Sequence, residues 1–145
     1  MTTRPAQLVV SAAMQDKLLS LATSISRPKG TVLFRHGDAV QGVFLIRNGK
    51  IQLALEGVDY AFPPRILGTG SVVGLPATVA GSPYSLTAQV VEDADLAFVA
   101  RAPLLEALQH DAQLCFEVMD MLSGEISETR SALKRTSSPR ARKEA

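Results

Sequence analysis

The sequence predicts a mainly β domain with flanking helices, an antiparallel roll set between a short N-terminal helix and a long C-terminal one. Two observations predict it. From Thr31 to Val99, short apolar runs alternate with clusters of Gly, Asn, Asp and Pro, the pattern of many short strands at even spacing. On either side of that stretch the apolar residues recur at helical spacing. A chain of 145 residues, 46% of them hydrophobic, is enough for one domain with an ordinary core.

Taken in order, Ser11 to Ala22 places Met14, Leu18, Leu19 and Leu21 at near-helical spacing behind Ser11 as N-cap, and Arg27-Pro28-Lys29-Gly30 closes the segment. Val32 and Phe34 form the next run, Gly37-Asp38 a turn, and Val43-Phe44-Leu45-Ile46 a strand. Asn48-Gly49 then predicts a tight hairpin into Ile51, Leu53 and Leu55, because a primed two-residue turn needs positive φ at residues that tolerate it. Further strands are expected at Arg65 to Leu67, Ser71 to Val73, Tyr84 to Val91 and Leu96 to Val99. The last two are separated by a turn at Glu92-Asp93. Pro76 suits the first turn of a short helix and Gly81 its end, so 76–80 would offer backbone N–H groups to an anion. Beyond Arg101, Leu104, Leu105 and Leu108 make one apolar stripe, and a longer helix is expected from about Asp111 to about Arg135. Residues 136–145 carry no apolar period and read as a basic, disordered tail.

Gly30, Phe34, Gly37-Asp38, Val43-Phe44-Leu45-Ile46, Asn48-Gly49-Lys50-Ile51, Leu67-Gly68, Gly70 and Gly74 fall in an order and spacing that resemble the cyclic-nucleotide-binding domain family. The likeness is to the sensor domains of Crp/Fnr-type bacterial transcription regulators, and it runs from about Leu18 to Leu133. It implies a β-roll of the double-stranded β-helix, jelly-roll type over about 29–100. The C-terminal helices would cover about 101–135, within one sensor domain of residues 1–135. It also implies a ligand cassette at Gly74, Leu75, Pro76, Ala77, Tyr84, Ser85 and Leu86, with Thr129 closing it from the long helix.

Nucleotide binders of that family carry a glutamate after the glycine, for the ribose hydroxyl, and an arginine after the proline, for the phosphate. This chain has Leu75 and Tyr84 there. A buried phosphate without a cation loses several kcal/mol of hydration, of which helix-terminal N–H groups restore only about 0.3–2 kcal/mol. Leu75 and Tyr84 therefore leave cyclic nucleotide a possible but disfavoured ligand, and no cofactor is certain. Leu75, Pro76, Tyr84 and Leu86 fit either an apolar pocket for a neutral small molecule or a pocket filled by its own side chains.

Cys115, Met119, Leu122, Ile126, Thr129 and Leu133 alternate at spacings of four and three, an a/d seam that predicts a homodimer, while Leu114, Val118 and Met121 would pack back on the roll. In the family the corresponding helix pair forms the dimer axis. Regulators with this sensor normally continue into a winged helix-turn-helix, and only a polar tail follows Arg135 here. No specific DNA binding by this chain is expected, and the sequence leaves open a stand-alone sensor or a piece of a regulator.

Net charge is +1, and no apolar run approaches a membrane span or a signal segment, so neither membrane nor nucleic acid is called for by bulk properties. The single cysteine, Cys115, excludes an internal disulfide, and a cytoplasmic protein is expected. His36 and His110 have no acidic or thiol neighbour at ligand spacing, and Glu92, Asp93 and Asp95 are expected on an exposed turn, so no metal is predicted. No nucleophile is paired with a base, and an enzyme is not expected. The expectation is a dimeric, non-enzymatic signal-sensing domain with an unknown small molecule or protein as partner. Its rivals are a genuine cyclic AMP or cyclic GMP receptor, and the effector domain of a regulator lacking its DNA-binding part.

Overall fold

Val43-Phe44-Leu45-Ile46 is apolar at four consecutive positions because both faces of the strand that carries it are covered. In the computed structural model, which describes residues 9–55 and 64–123, Phe44 and Ile46 point into one core. Val43 and Leu45 point into another on the opposite face. The strand is β3 (Gly42–Ala54), paired antiparallel along its length with β6 (Thr87–Ala100). Around this pair lie β1 (Thr23–Arg27) and β2 (Val32–Phe34) on β6, and β4 (Arg65–Leu67) and β5 (Val72–Val73) on β3. The inner core of the roll holds Phe34, Phe44, Ile51, Leu53, Tyr84, Val90 and Leu96, among others.

The outer core lies between sheet and helices. It gathers Met14 and Leu18 of α1 (Ala12–Leu21), Leu104 of α3 (Arg101–His110), and Leu114 and Val118 of the following helix, described over 112–123 and here α4, against Val43, Leu45, Ala97 and Val99. The short α2 (Leu75–Ala80) joins β5 to the segment leading into β6. Ser11 caps α1 as expected, its hydroxyl accepting from the Met14 amide at 3.1 Å. The same residue reaches α4: its hydroxyl donates to Glu117 Oε1 at 2.9 Å and its amide to Oε2 at 3.1 Å. Lys17 pairs with Asp111 at 2.7 Å, so two polar links tie α1 to α4 and the residue before it.

Two turn assignments are corrected. Asn48-Gly49 is not a hairpin; it lies inside β3, and Glu92-Asp93 lies inside β6 opposite it, where the register shifts between Ile46 and Ile51. Gly49 has φ 94°, and a Cβ there would sit 2.3 Å from the Asp93 carbonyl oxygen, so the pair forms a bulged bend that turns both strands together. The dipeptide supplies the positive φ for which a turn was inferred, but the partner strand crosses tightly over it. β1 was not anticipated at all: Thr-Ser-Ile-Ser-Arg has one apolar residue, and its strand state comes from edge pairing with β6 rather than from propensity. Among the described residues no helix is long and apolar enough to cross a membrane.

Candidate functional site

Residues 74–88 contain no acid and no base other than the phenol of Tyr84, and the fold fixes where each side chain goes. Gly74 is the N-cap of α2 with φ 87°; an added Cβ would come within 3.1 Å of Tyr84 Cε1 and 3.2 Å of the Gly42 carbonyl oxygen. The tight backbone approach and the left-handed φ both call for glycine there. Leu75, which the resemblance sets where nucleotide binders carry a glutamate, is fully buried in the outer core, facing the helices. Ala77 and Tyr84 belong to the inner core, Leu86 packs against it half-buried, Pro76 is half-buried and Ser85 is exposed. Leu75 and Tyr84 thus lie on opposite sides of the cassette backbone. Thr129 lies outside the described residues.

Tyr84 is 3% exposed and its oxygen is fully used. The hydroxyl donates to the Gly42 carbonyl at 2.7 Å and accepts from the amides of Gln41 and Gly42, each at 3.1 Å. Its ring stacks on Phe34 with centroids 3.7 Å apart and planes 11° from parallel. The backbone holds the residue too, since the Tyr84 amide donates to the Asp38 carbonyl at 3.0 Å and its carbonyl accepts from Gly37 at 2.7 Å. The Tyr84 side chain therefore bolts this segment to the 37–42 segment.

The donors α2 can turn outward are few. Pro76 has no N–H, and the Thr78 amide and hydroxyl both donate to the Gly74 carbonyl, at 3.1 and 2.7 Å. At its far end α2 stops on Gly81 in the left-handed region, and Arg101 at the start of α3 covers that end, its Nε donating to the Thr78 carbonyl at 2.8 Å. Sequence reasoning did not single out Arg101. The hint was only its place after a long strand, since nothing in sequence marks which carbonyl an arginine will reach.

Part of the seam expected to form a dimer lies within the described residues. Met119 is 60% exposed, Cys115 is half-buried, and Leu122 is half-buried against the outer core; Ile126 and Leu133 lie outside the described residues. Phe116, 74% exposed, was missed. Leu114, Val118 and Met121 define the buried side of α4, and two residues beyond Leu114 a helix has turned about 200°, so helical geometry alone puts Phe116 outside. The three carboxylates near residue 93 do not converge: Asp93 accepts the Lys29 amide, Asp95 the Ser26 hydroxyl, and Glu92 faces Lys50 at 3.5 Å. Among the described residues no group of acidic, His and Cys side chains is placed to hold a metal.

With this geometry in hand, the comparisons with known proteins are specific. A family model described as Cyclic nucleotide-binding domain matches residues 25–111. The Anaerobic regulatory protein of Bacillus subtilis (strain 168) is 28% identical over 130 residues, covering 87% of this chain and 54% of the relative, so the chain spans about half that protein's length. Among solved structures, the catabolite activator protein of Thermus thermophilus superposes with a TM-score of 0.71 at 23% identity, over 92% of this chain and 63% of that one. The sensor domain of the transcriptional regulator DNR from Pseudomonas aeruginosa gives 0.65 at 18% identity, over 89% and 85%.

Proposed function

Because the chain belongs to the cyclic nucleotide-binding domain family, we propose that it is a non-enzymatic regulatory sensor domain that does not bind cyclic nucleotide tightly. One observation carries this reading: the residue at the phosphate-pairing position, Tyr84, spends the only polar atom of its side chain on Gln41 and Gly42. A cyclic phosphate would meet no guanidinium from the cassette, and Leu75 offers no carboxylate to a ribose. The cassette instead works as a structural clamp. Through Arg101 it is joined to α3, and so to α4 behind it.

The same reading makes the protein a dimer through α4, with Phe116 and Met119 as the exposed apolar residues that a second copy would cover. The likeness to named regulators supports a cytoplasmic signalling role, in which this domain biases the geometry of its C-terminal helix.

A thermal-shift titration of the chain with cyclic AMP and cyclic GMP tests the proposal. A ligand at a hundredfold excess over its Kd stabilises by about 2.7 kcal/mol. The expected result is no shift at millimolar nucleotide. A clear upward shift would make the protein a cyclic nucleotide receptor with an unusual pocket and overturn the reading.

A further inference from the structure

At the end of the roll where β1, β2 and β3 meet β6, the inner core is left open. Phe44 and Phe98 are direct cross-strand partners with ring centroids 5.0 Å apart, and they form the floor of a cleft of about 290 Å³. Ile25, Val32 and Leu33 wall it, all half-buried, while Arg27, Thr31 and Gln41 stand at its rim. Apolar residues at an ordinary core position would be closed over by a neighbour; here Ile25, Leu33 and Phe98 keep part of their surface in water. Among the described residues no carboxylate lines the cleft, and Arg27 is the one cation there. Arg27 Nη1 donates to the carbonyl of Ser26 at 2.8 Å, a contact with its own chain neighbour that steadies the side chain while leaving the far side of the planar fork for a second partner.

We infer that this cleft is a second ligand site, separate from the cassette, for a small aromatic carboxylate whose ring lies on Phe44 and Phe98 and whose carboxylate pairs with Arg27. The volume, at the lower end of small-molecule sites, suits a ligand of one ring and a short acid arm. Its chemistry is complementary on both counts: an apolar floor takes the ring, and an exposed guanidinium takes an anion at little desolvation cost. The site is not isolated. Phe98 touches Phe44, Phe44 lies 6.1 Å from Phe34, and Phe34 stacks on Tyr84, so a row of four rings runs from the cleft to the cassette. Gln41 extends the connection, with its side chain on the rim and its amide on the Tyr84 hydroxyl.

The test is a titration of the full chain, followed by backbone amide NMR shifts, with phenylacetate and its neutral analogue phenylacetamide. Phenylacetate should shift the amides of Ile25, Leu33 and Phe98 first and bind about three- to fivefold tighter than the amide, the range of an exposed ion pair. Arg27→Gln, at an exposed position, should keep the fold and erase that difference, and Phe98→Leu should weaken both ligands. Equal binding of acid and amide, shifts centred on residues 74–88, or no binding by either probe at millimolar concentration would each overturn the proposal. None of these outcomes bears on cyclic nucleotide binding, so the two readings fail separately.

Discussion

Replacing Tyr84 by Phe removes one oxygen and leaves the ring on Phe34. That oxygen makes three hydrogen bonds, two accepted and one donated, and every partner is backbone of Gln41 or Gly42. At about 1 kcal/mol net for each, with some relief for Gln41 near the surface, Tyr84→Phe should cost about 2–3 kcal/mol. For a domain of this size about 4 °C is lost per kcal/mol, so Tm should fall by about 8–12 °C. Urea unfolding followed by circular dichroism reads the cost directly, and the slope should stay that of wild type, because the surface exposed on unfolding is unchanged. A loss below about 0.5 kcal/mol would mean that water or a shifted backbone replaces the hydroxyl, and the clamp assigned to Tyr84 would be wrong. A loss with a much lower slope would point to a loosened native state instead, which the contacts of the ring do not predict.

The other predictions concern the surroundings of that clamp. Gly74→Ala should destabilise by about 1–2 kcal/mol from the left-handed backbone alone, with more from the approach to Tyr84, and a neutral result in urea would contradict the geometry. Arg101→Ala should cost about 1–2 kcal/mol through the lost Thr78 contact and raise amide exchange in α2 before it does so in β3. Phe116→Ser with Met119→Ser should leave unfolding within about 0.5 kcal/mol while sedimentation shifts to the monomer; an unchanged sedimentation coefficient would remove α4 as the dimer face. The Asp111 carboxyl is held below its ordinary value of 3.8, first by Lys17 and then by the Leu114 amide. A depressed carboxylate stabilises the fold above its unfolded value and loses that contribution as pH falls through its folded one. Asp111→Asn should therefore be less stable than wild type at neutral pH, with the gap closing below about pH 3.8. A gap that widens in acid would reverse the sign.

What could be read from the sequence divides along physical lines. α1 and its Ser11 cap, the short helix behind Gly74 and its stop at Gly81 were legible, because caps and left-handed glycines are decided within a few residues. So was the buried face of α4, since three apolar residues at helical spacing leave little choice. Asn48-Gly49 misled because positive φ at a glycine serves a bulge as well as a hairpin turn, and which one forms depends on β6, some forty residues later in the chain. β1 was invisible for a related reason: its partners lie entirely in β6. At the candidate site, the lack of charge in 74–88 was plain from the letters. That Leu75 and Tyr84 part to opposite sides of the backbone was not, because membership of one short segment says nothing of which core a side chain joins.

The bend at Gly49 and Asp93 has a bearing on how the protein comes apart. The same two strands line the roll interior with Ile46, Ile51, Val90 and Leu96 and support the helix layer with Val43, Leu45, Ala97 and Val99. Neither layer can open without breaking the ladder that runs from Gly42 and Ala100 to Ala54 and Thr87. The two cores should therefore melt as one cooperative unit, and the ladder itself, closed between segments distant in sequence, should be the slow step in refolding. A perturbation on the helix side is then felt at the roll's interior as strain in a shared beam rather than as a message passed from residue to residue.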